Sequence, residues 1–229
     1  MKIVVFDIDG TLTETIGVDN RLFAAALRRV LDLSSEPDLF EFDDVTDSGT
    51  VRGLCARHST RPCHEVEAEV EELFLELLED AVTAEPEAFQ PVPGARTVME
   101  RIRNAGWIPA MATGSWKRSA VLKLRAAKID VEGVPLATSS LHPQRRMIIQ
   151  HALRAAGAKP KTQAVYVGDG TWDIKAARQV GIGFLGRGIH GNAETLRNSG
   201  ASRIIPDFTE LACVLEGLEA SMKSVWNAA

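Results

Sequence analysis

Apolar residues follow two different rhythms along this chain, and the change of rhythm divides it. The chain opens on the unbroken run Ile3-Val4-Val5-Phe6, closed by Asp7-Ile8-Asp9-Gly10. A continuous β-branched run stopped by glycine predicts a strand buried on both faces, as in the middle of a parallel sheet. Between residues 14 and 90 the apolar period lengthens to that of helices. Leu22, Phe23, Ala26, Leu27, Val30 and Leu31 form one stripe, and Val66, Val70, Leu73, Phe74, Leu77 and Leu78 form a second. Glu65, Glu67, Glu69, Glu71, Glu72, Glu76 and Glu79 surround the second stripe and predict its solvated face. The polar stretch Asp47-Ser48-Gly49-Thr50-Val51-Arg52 is predicted to be a turn between two helices. Glu85-Pro86 and Pro91-Val92-Pro93-Gly94 bound the helical region on its far side.

From Gly94 onward, helices and strands alternate. Ala95, Val98, Met99 and Ile102 predict a helix stopped by Gly106, and Trp107 to Ala112 the next strand. A helix follows over 117–127, then a short strand over 134–137. Pro143 is placed in the first turn of a further helix that ends at Gly157. Strand 164–167, helix 172–180, strand 183–185, the pair Ile204-Ile205 and helix 208–218 complete the series. Strands alternating with helices imply an α/β fold, a doubly wound, Rossmann-like parallel sheet. The division that follows is a core of residues 1–13 and 91–229 with an inserted helical cap of residues 14–90. The linkers near 13–19 and 84–93 are its hinge candidates.

Composition narrows the function classes. Of 229 residues, 45% are apolar and 25% charged, which supports a full core. A net charge of −5 without a basic cluster argues against a nucleic-acid partner. No apolar stretch reaches membrane-spanning length and the amino terminus reads as a core strand, so no membrane partner is expected and the cytoplasm is the default location. Cys55, Cys63 and Cys213 are too few and scattered for a disulfide framework. Cys55, His58, Cys63 and His64 lie close in sequence, but their spacing matches no common zinc pattern. Buried thiols and surface imidazoles are expected there instead.

The candidate chemistry sits at the strand ends. Asp7 and Asp9 lie where the first strand runs into a glycine turn, and two carboxylates that close repel unless a cation or shared proton intervenes. Ligands in open α/β sheets bind beyond the carboxyl ends of such strands. The stretch Asp7-Ile8-Asp9-Gly10-Thr11 resembles the first motif of the haloacid dehalogenase superfamily, in its phosphoryl-transfer branch. The resemblance implies Asp7 as the nucleophile that takes the phosphoryl group, and Asp9 as the acid and then base serving the leaving oxygen and water. It implies a divalent cation as well, and oxygen ligands favour Mg²⁺.

Further pieces fit the same family. Ala112-Thr113-Gly114-Ser115 follows a predicted strand and opens a helix, a ready phosphate cradle. It resembles the second motif, which makes Thr113 and Gly114 the expected phosphate contacts. Gly168-Asp169-Gly170-Thr171-Trp172-Asp173 resembles the fourth motif. By that likeness Asp7, Asp9 and Asp169 hold the metal, and Asp173 supports it from behind. The third motif usually offers a lysine, and Leu141-His142-Pro143-Gln144-Arg145-Arg146 holds none. Arg145 fits the position best, with Arg146 as its rival, because a guanidinium fork can bind two phosphate oxygens. In the inserted region, which resembles a C1-type cap, Thr50 and Arg52 are the expected substrate contacts.

The leading expectation is a Mg²⁺-dependent phosphomonoester hydrolase resembling phosphoglycolate phosphatases and acting on a small phosphorylated metabolite. A small cleft favours sugar phosphates or short phosphorylated acids over phosphoproteins. A phosphomutase shares Asp7 and Asp9 and is the alternative. Dehalogenases dispense with the second acid, and phosphonatases need a cap lysine where residues 14–90 have none. A non-catalytic binding module is disfavoured, because packing does not demand so many polar groups at strand ends.

Overall fold

The computed structural model describes residues 1–189 and 191–223. Six strands, β1 (Lys2–Phe6), β2 (Trp107–Ala112), β3 (Leu136–Ala137), β4 (Gln163–Gly168), β5 (Gly183–Arg187) and β6 (Ile204–Ile205), form one sheet. Their order is β3-β2-β1-β4-β5-β6, and every pairing is parallel. β1 is therefore central, which is why its run is apolar throughout. Its alternate residues enter two cores. Val4 and Phe6 join one with α4 (Ala95–Asn104) and α9 (Leu211–Lys223), while Ile3 and Val5 join the other with α6 (Arg145–Ala155) and α7 (Thr171–Val180).

The expected strands are all present. Two helices differ at their starts. Pro143 precedes α6, and extended Gln144 caps it, so the helix starts two residues past the proline. α9 begins at Leu211, since Phe208 is drawn into the core against the ring of Phe6 at 5.7 Å. A short helix, α8 (Ala193–Asn198), has too few apolar positions to show a period.

The segment inserted after β1 carries three α-helices, α1 (Ile16–Val30), α2 (Asp47–His58) and α3 (Cys63–Ala84). They enclose a third core, in which Phe23, Phe74 and Trp116 meet with ring centroids 5.3–6.3 Å apart. Val66, Val70, Phe74 and Leu78 of α3 are fully buried, each burial contributing about 1.5–3 kcal/mol. Trp116 comes from the sheet domain, just before α5 (Lys117–Ala126), so this core is shared by both parts. The two linkers run side by side. Thr13 bridges Pro91, Glu14 N donates to Gln90 O at 2.8 Å, and Val92 N donates to Leu12 O at 2.9 Å.

The stretch 47–52 is not a turn but the opening of α2. Thr46 caps it, its hydroxyl accepting from Gly49 N at 3.0 Å. Such a cap satisfies one orphan donor of the first turn. Among the described residues no helix is long and apolar enough to cross a membrane.

Candidate active site

β1, β2 and β4 are neighbours whose carboxyl ends carry Asp7, Thr113 and Asp169, and the connections wind in opposite senses on either side of β1. A crevice opens at such a switch point. Asp7 N donates to Val167 O at 2.9 Å, which ties the first carboxylate to β4, the strand that leads into Asp169. Gly10 then turns the chain at φ +73°, and a Cβ there would lie 2.4 Å from Asp169 Oδ2. Only glycine meets both demands. Arg187, at the end of β5, steadies this turn by donating to Gly10 O at 3.0 Å.

Carboxylate oxygens of Asp7, Asp169 and Asp173 lie within 4.8 Å of one another, and all three residues are buried. Burial pushes the Asp7 carboxyl well up, with repulsion from Asp173 adding and Arg145 opposing. Burial, then Asp173, raises Asp169 to about 8. Burial raises Asp173 too, despite Arg145 and the N–H of Gly170. Three buried oxygen donors that disfavour their own charge fit a hard divalent cation.

Arg145 is the first residue of α6 and reaches into the cluster. Its Nη1 donates to Asp173 at 3.0 Å, to Asp7 at 3.3 Å and to the Tyr166 hydroxyl at 3.4 Å. Nη2 donates to Val45 O at 2.6 Å, whereas Nε is buried without a partner. A Cβ on Gly114 would stand 2.4 Å from Nη2, so that glycine makes room for the guanidinium. Arg146 turns elsewhere and donates to Gln144 Oε1 at 3.1 Å. Thr113 is buried, its hydroxyl accepting from Ser115 N at 3.2 Å.

Asp9 departs from the expected arrangement. Its carboxylate is not part of the three-acid cluster and accepts from Thr15 Oγ1 at 2.5 Å, Lys123 Nζ at 2.7 Å and Ser115 Oγ at 2.9 Å. Burial would raise its carboxyl, but the Lys123 ammonium and these hydroxyls outweigh that and hold it low. The side chain that completes the cluster is Asp173, placed by sequence reasoning behind the metal rather than beside it. Lys123 was not singled out either. Its signal was a lysine one position before Leu124, on the apolar stripe that includes Ala120 and Ala127.

Asp7, Asp9, Thr113, Gly114, Ser115 and Arg145 line a cavity of about 70 Å³. Its other wall comes from the helical insertion: Asp19, Asn20 and Phe23 of α1, Leu39 and Phe40 of the following loop, the cap residue Thr46, and Asp47 and Thr50 of α2. Phe40 stacks on Trp172 at 5.2 Å. Asp47 N donates to Gly114 O at 2.9 Å, Trp116 N to Asp47 Oδ2 at 2.8 Å, and Thr46 Oγ1 to Pro143 O at 2.6 Å. Thr50 is brought to the cavity and Arg52 is not. Its guanidinium, 53% exposed, pairs with Glu67 at 3.3 Å on the outer face. Among the described residues no cysteine or histidine joins a metal-competent group, and burial pushes the Cys55 thiol up to about 12.

Residues 1–181 match the model of the family "haloacid dehalogenase-like hydrolase". No curated protein matches the chain. Among solved structures, a hydrolase from Pseudomonas syringae is 21% identical, with a TM-score of 0.70 over 94% of this chain and 98% of its own. CbbY from Rhodobacter sphaeroides, in complex with phosphate, is 21% identical at a TM-score of 0.69, covering 95% and 98%. A putative β-phosphoglucomutase from Bacteroides vulgatus is 20% identical at 0.69, covering 98% and 91%. At such identities the structures share the fold, while the family match rests on the sequence over most of its length: the chain belongs to the haloacid dehalogenase-like hydrolases.

Proposed function

We propose that this hydrolase removes phosphate from small phosphate monoesters, with Asp7 as nucleophile and Mg²⁺ as cofactor. The observation that carries the reading is the placement of Asp7 between a partly unpartnered guanidinium and two further buried carboxylates. Arg145 would hold the phosphate oxygens against Asp7, and the buried Nε leaves it a donor to spare. An Asp7 oxygen attacks phosphorus and the bond to the ester oxygen breaks; Asp9, which Lys123 and two hydroxyls keep ionised at rest, takes up a proton as the ester binds and passes it to the leaving oxygen. Water then attacks the aspartyl phosphate, Asp9 takes its proton, and phosphate leaves with the Asp7 carboxylate restored. Asp7, Asp169 and Asp173 would hold Mg²⁺, which offsets the charge gathered on carboxylate and phosphate.

The cavity also bears on the substrate. Arg145 is the single cationic residue among those lining it, and Ile16, Phe23, Leu39, Phe40 and Trp172 give it an apolar side. One phosphate is matched and a second anion is not. That favours an uncharged leaving group over the short phosphorylated acids that sequence analysis admits. It also favours hydrolysis over a mutase, which must accommodate a sugar carrying two phosphates. Phosphate release from para-nitrophenyl phosphate and a panel of phosphorylated metabolites, with and without Mg²⁺, tests the proposal. Absence of release from every ester in the presence of Mg²⁺ would reject it.

A further inference from the structure

We infer that Lys123 is a positioning residue that fixes the carboxylate of Asp9 and ties it, through Asp19, to helix α1. The inference rests on the role proposed above for Asp9. Lys123 has no exposed surface, and its ammonium donates to Asp9 Oδ2 at 2.7 Å, Ser115 Oγ at 2.9 Å and Asp19 Oδ1. These partners come from three places: the turn after β1, the loop after β2, and the first helical turn after the linker. Thr15, at the start of α1, also donates to Asp9, at 2.5 Å. Two of the three donors on Asp9 are therefore either on the segment leading into the insertion or clamped to it.

A lysine is poorly suited to a purely apolar interior, so a fully buried one marks a position where its three donors are used. Here all three have partners, and two are carboxylates from parts of the chain that only folding brings together. Asp9 can otherwise turn about its side-chain bonds, because the glycine turn that follows β1 leaves its carboxylate at the cavity edge. With α1 docked, the ammonium holds that carboxylate between Asp19 and Ser115, in reach of the cavity. Without α1, the bridge loses Asp19 and Asp9 loses Thr15. The acid role proposed for Asp9 then depends on Lys123 as well as on Asp9 itself.

The test compares Lys123→Met, Asp19→Asn and Asp9→Asn on an aryl ester, para-nitrophenyl phosphate, and on an alkyl ester, glycerol phosphate. A nitrophenolate leaves without help, whereas an alkoxide needs a proton, and such help contributes about 10²-fold or more. Lys123→Met and Asp19→Asn should each reproduce the Asp9→Asn pattern, with kcat on the alkyl ester falling at least tenfold further than on the aryl ester, and KM nearly unchanged. The double variant should be no worse than Lys123→Met alone, since both break one bridge. Equal losses on both esters, or none, would overturn the inference while leaving the phosphatase reading intact. Lack of wild-type turnover on either ester would instead remove the reading beneath it. Should Lys123→Met fail to fold, Asp19→Asn, which keeps the volume but removes the second charged anchor of the ammonium, decides the matter by the same ester comparison.

Discussion

Arg145 Nη1 donates to Asp7 Oδ1 at 3.3 Å, joining the first turn of α6 to the end of β1 across 138 residues of sequence. The same nitrogen reaches Asp173 at 3.0 Å, so one guanidinium is shared by two acids of the cluster. Burial opposes its charge, but Asp173, Tyr166 and Asp7 more than compensate and keep it firmly protonated. Arg145→Ala should lower kcat by about 10²–10³-fold, the loss typical of removing one preorganised donor to a developing anion. Arg146→Ala, whose side chain contacts Gln144, should stay within about twofold. Steady-state kinetics on para-nitrophenyl phosphate checks this, and equal effects would place the phosphate elsewhere.

Asp7→Asn should abolish turnover, by about 10³-fold or more, while leaving the unfolding transition cooperative. An amide fills the same volume but cannot attack phosphorus. It also removes one charge from a crowded cluster, so the variant should melt no lower than the parent in metal-free buffer. Full residual activity in a folded variant would exclude Asp7 as the nucleophile.

Two buried acids at the site, Asp169 and Asp19, predict a pH dependence of stability with a definite sign. Asp169 rises to about 8 and Asp19 to about 6 in the folded protein, above their ordinary values near 3.8. A carboxyl raised on folding binds its proton more tightly when native, so its contribution is full below the unfolded pKa and lost as pH climbs through the folded one. Metal-free protein should therefore lose thermal stability between pH 5 and pH 8, with Asp169 carrying the upper part. Mg²⁺ should raise the melting temperature most at the alkaline end, because it binds the deprotonated acids. Melting curves with chelator and with Mg²⁺ measure both effects; a stability that rises across that range without metal would contradict the cluster's electrostatics.

Thr50 and Arg52 separate substrate contact from surface decoration. Thr50 is buried at the cavity wall, so Thr50→Val should alter preference across a metabolite panel by about 1–2 kcal/mol, the cost of an unmatched hydroxyl. A small aryl phosphate should be hydrolysed nearly as before. Arg52→Ala removes one exposed ion pair with Glu67, an interaction worth about 0–1 kcal/mol, and should leave the profile unchanged. A profile that responds to Arg52 and not to Thr50 would reverse the assignment of the wall.

Local patterning was enough to set out the sheet. β1, β2, β4 and β5 could be read because a strand buried on both faces is apolar at successive positions, as in the four-residue run Ile3–Phe6 of β1. The strand-end acids were legible for a related reason: charged residues beside such runs need a chemical purpose. Helix α2 was not, since a polar first turn capped by Thr46 looks like a loop until its packing against the sheet domain is known. Nor could sequence choose between the acids. Asp9 is two residues from Asp7, but its carboxylate is claimed by Lys123, Ser115 and Thr15, whereas Asp173 turns in against Arg145. Which carboxylates share a cation depends on distances of a few ångströms between strand ends and helix starts. Those distances come from sheet register and from α1 closing over the crevice, and neither is written in any local run of residues.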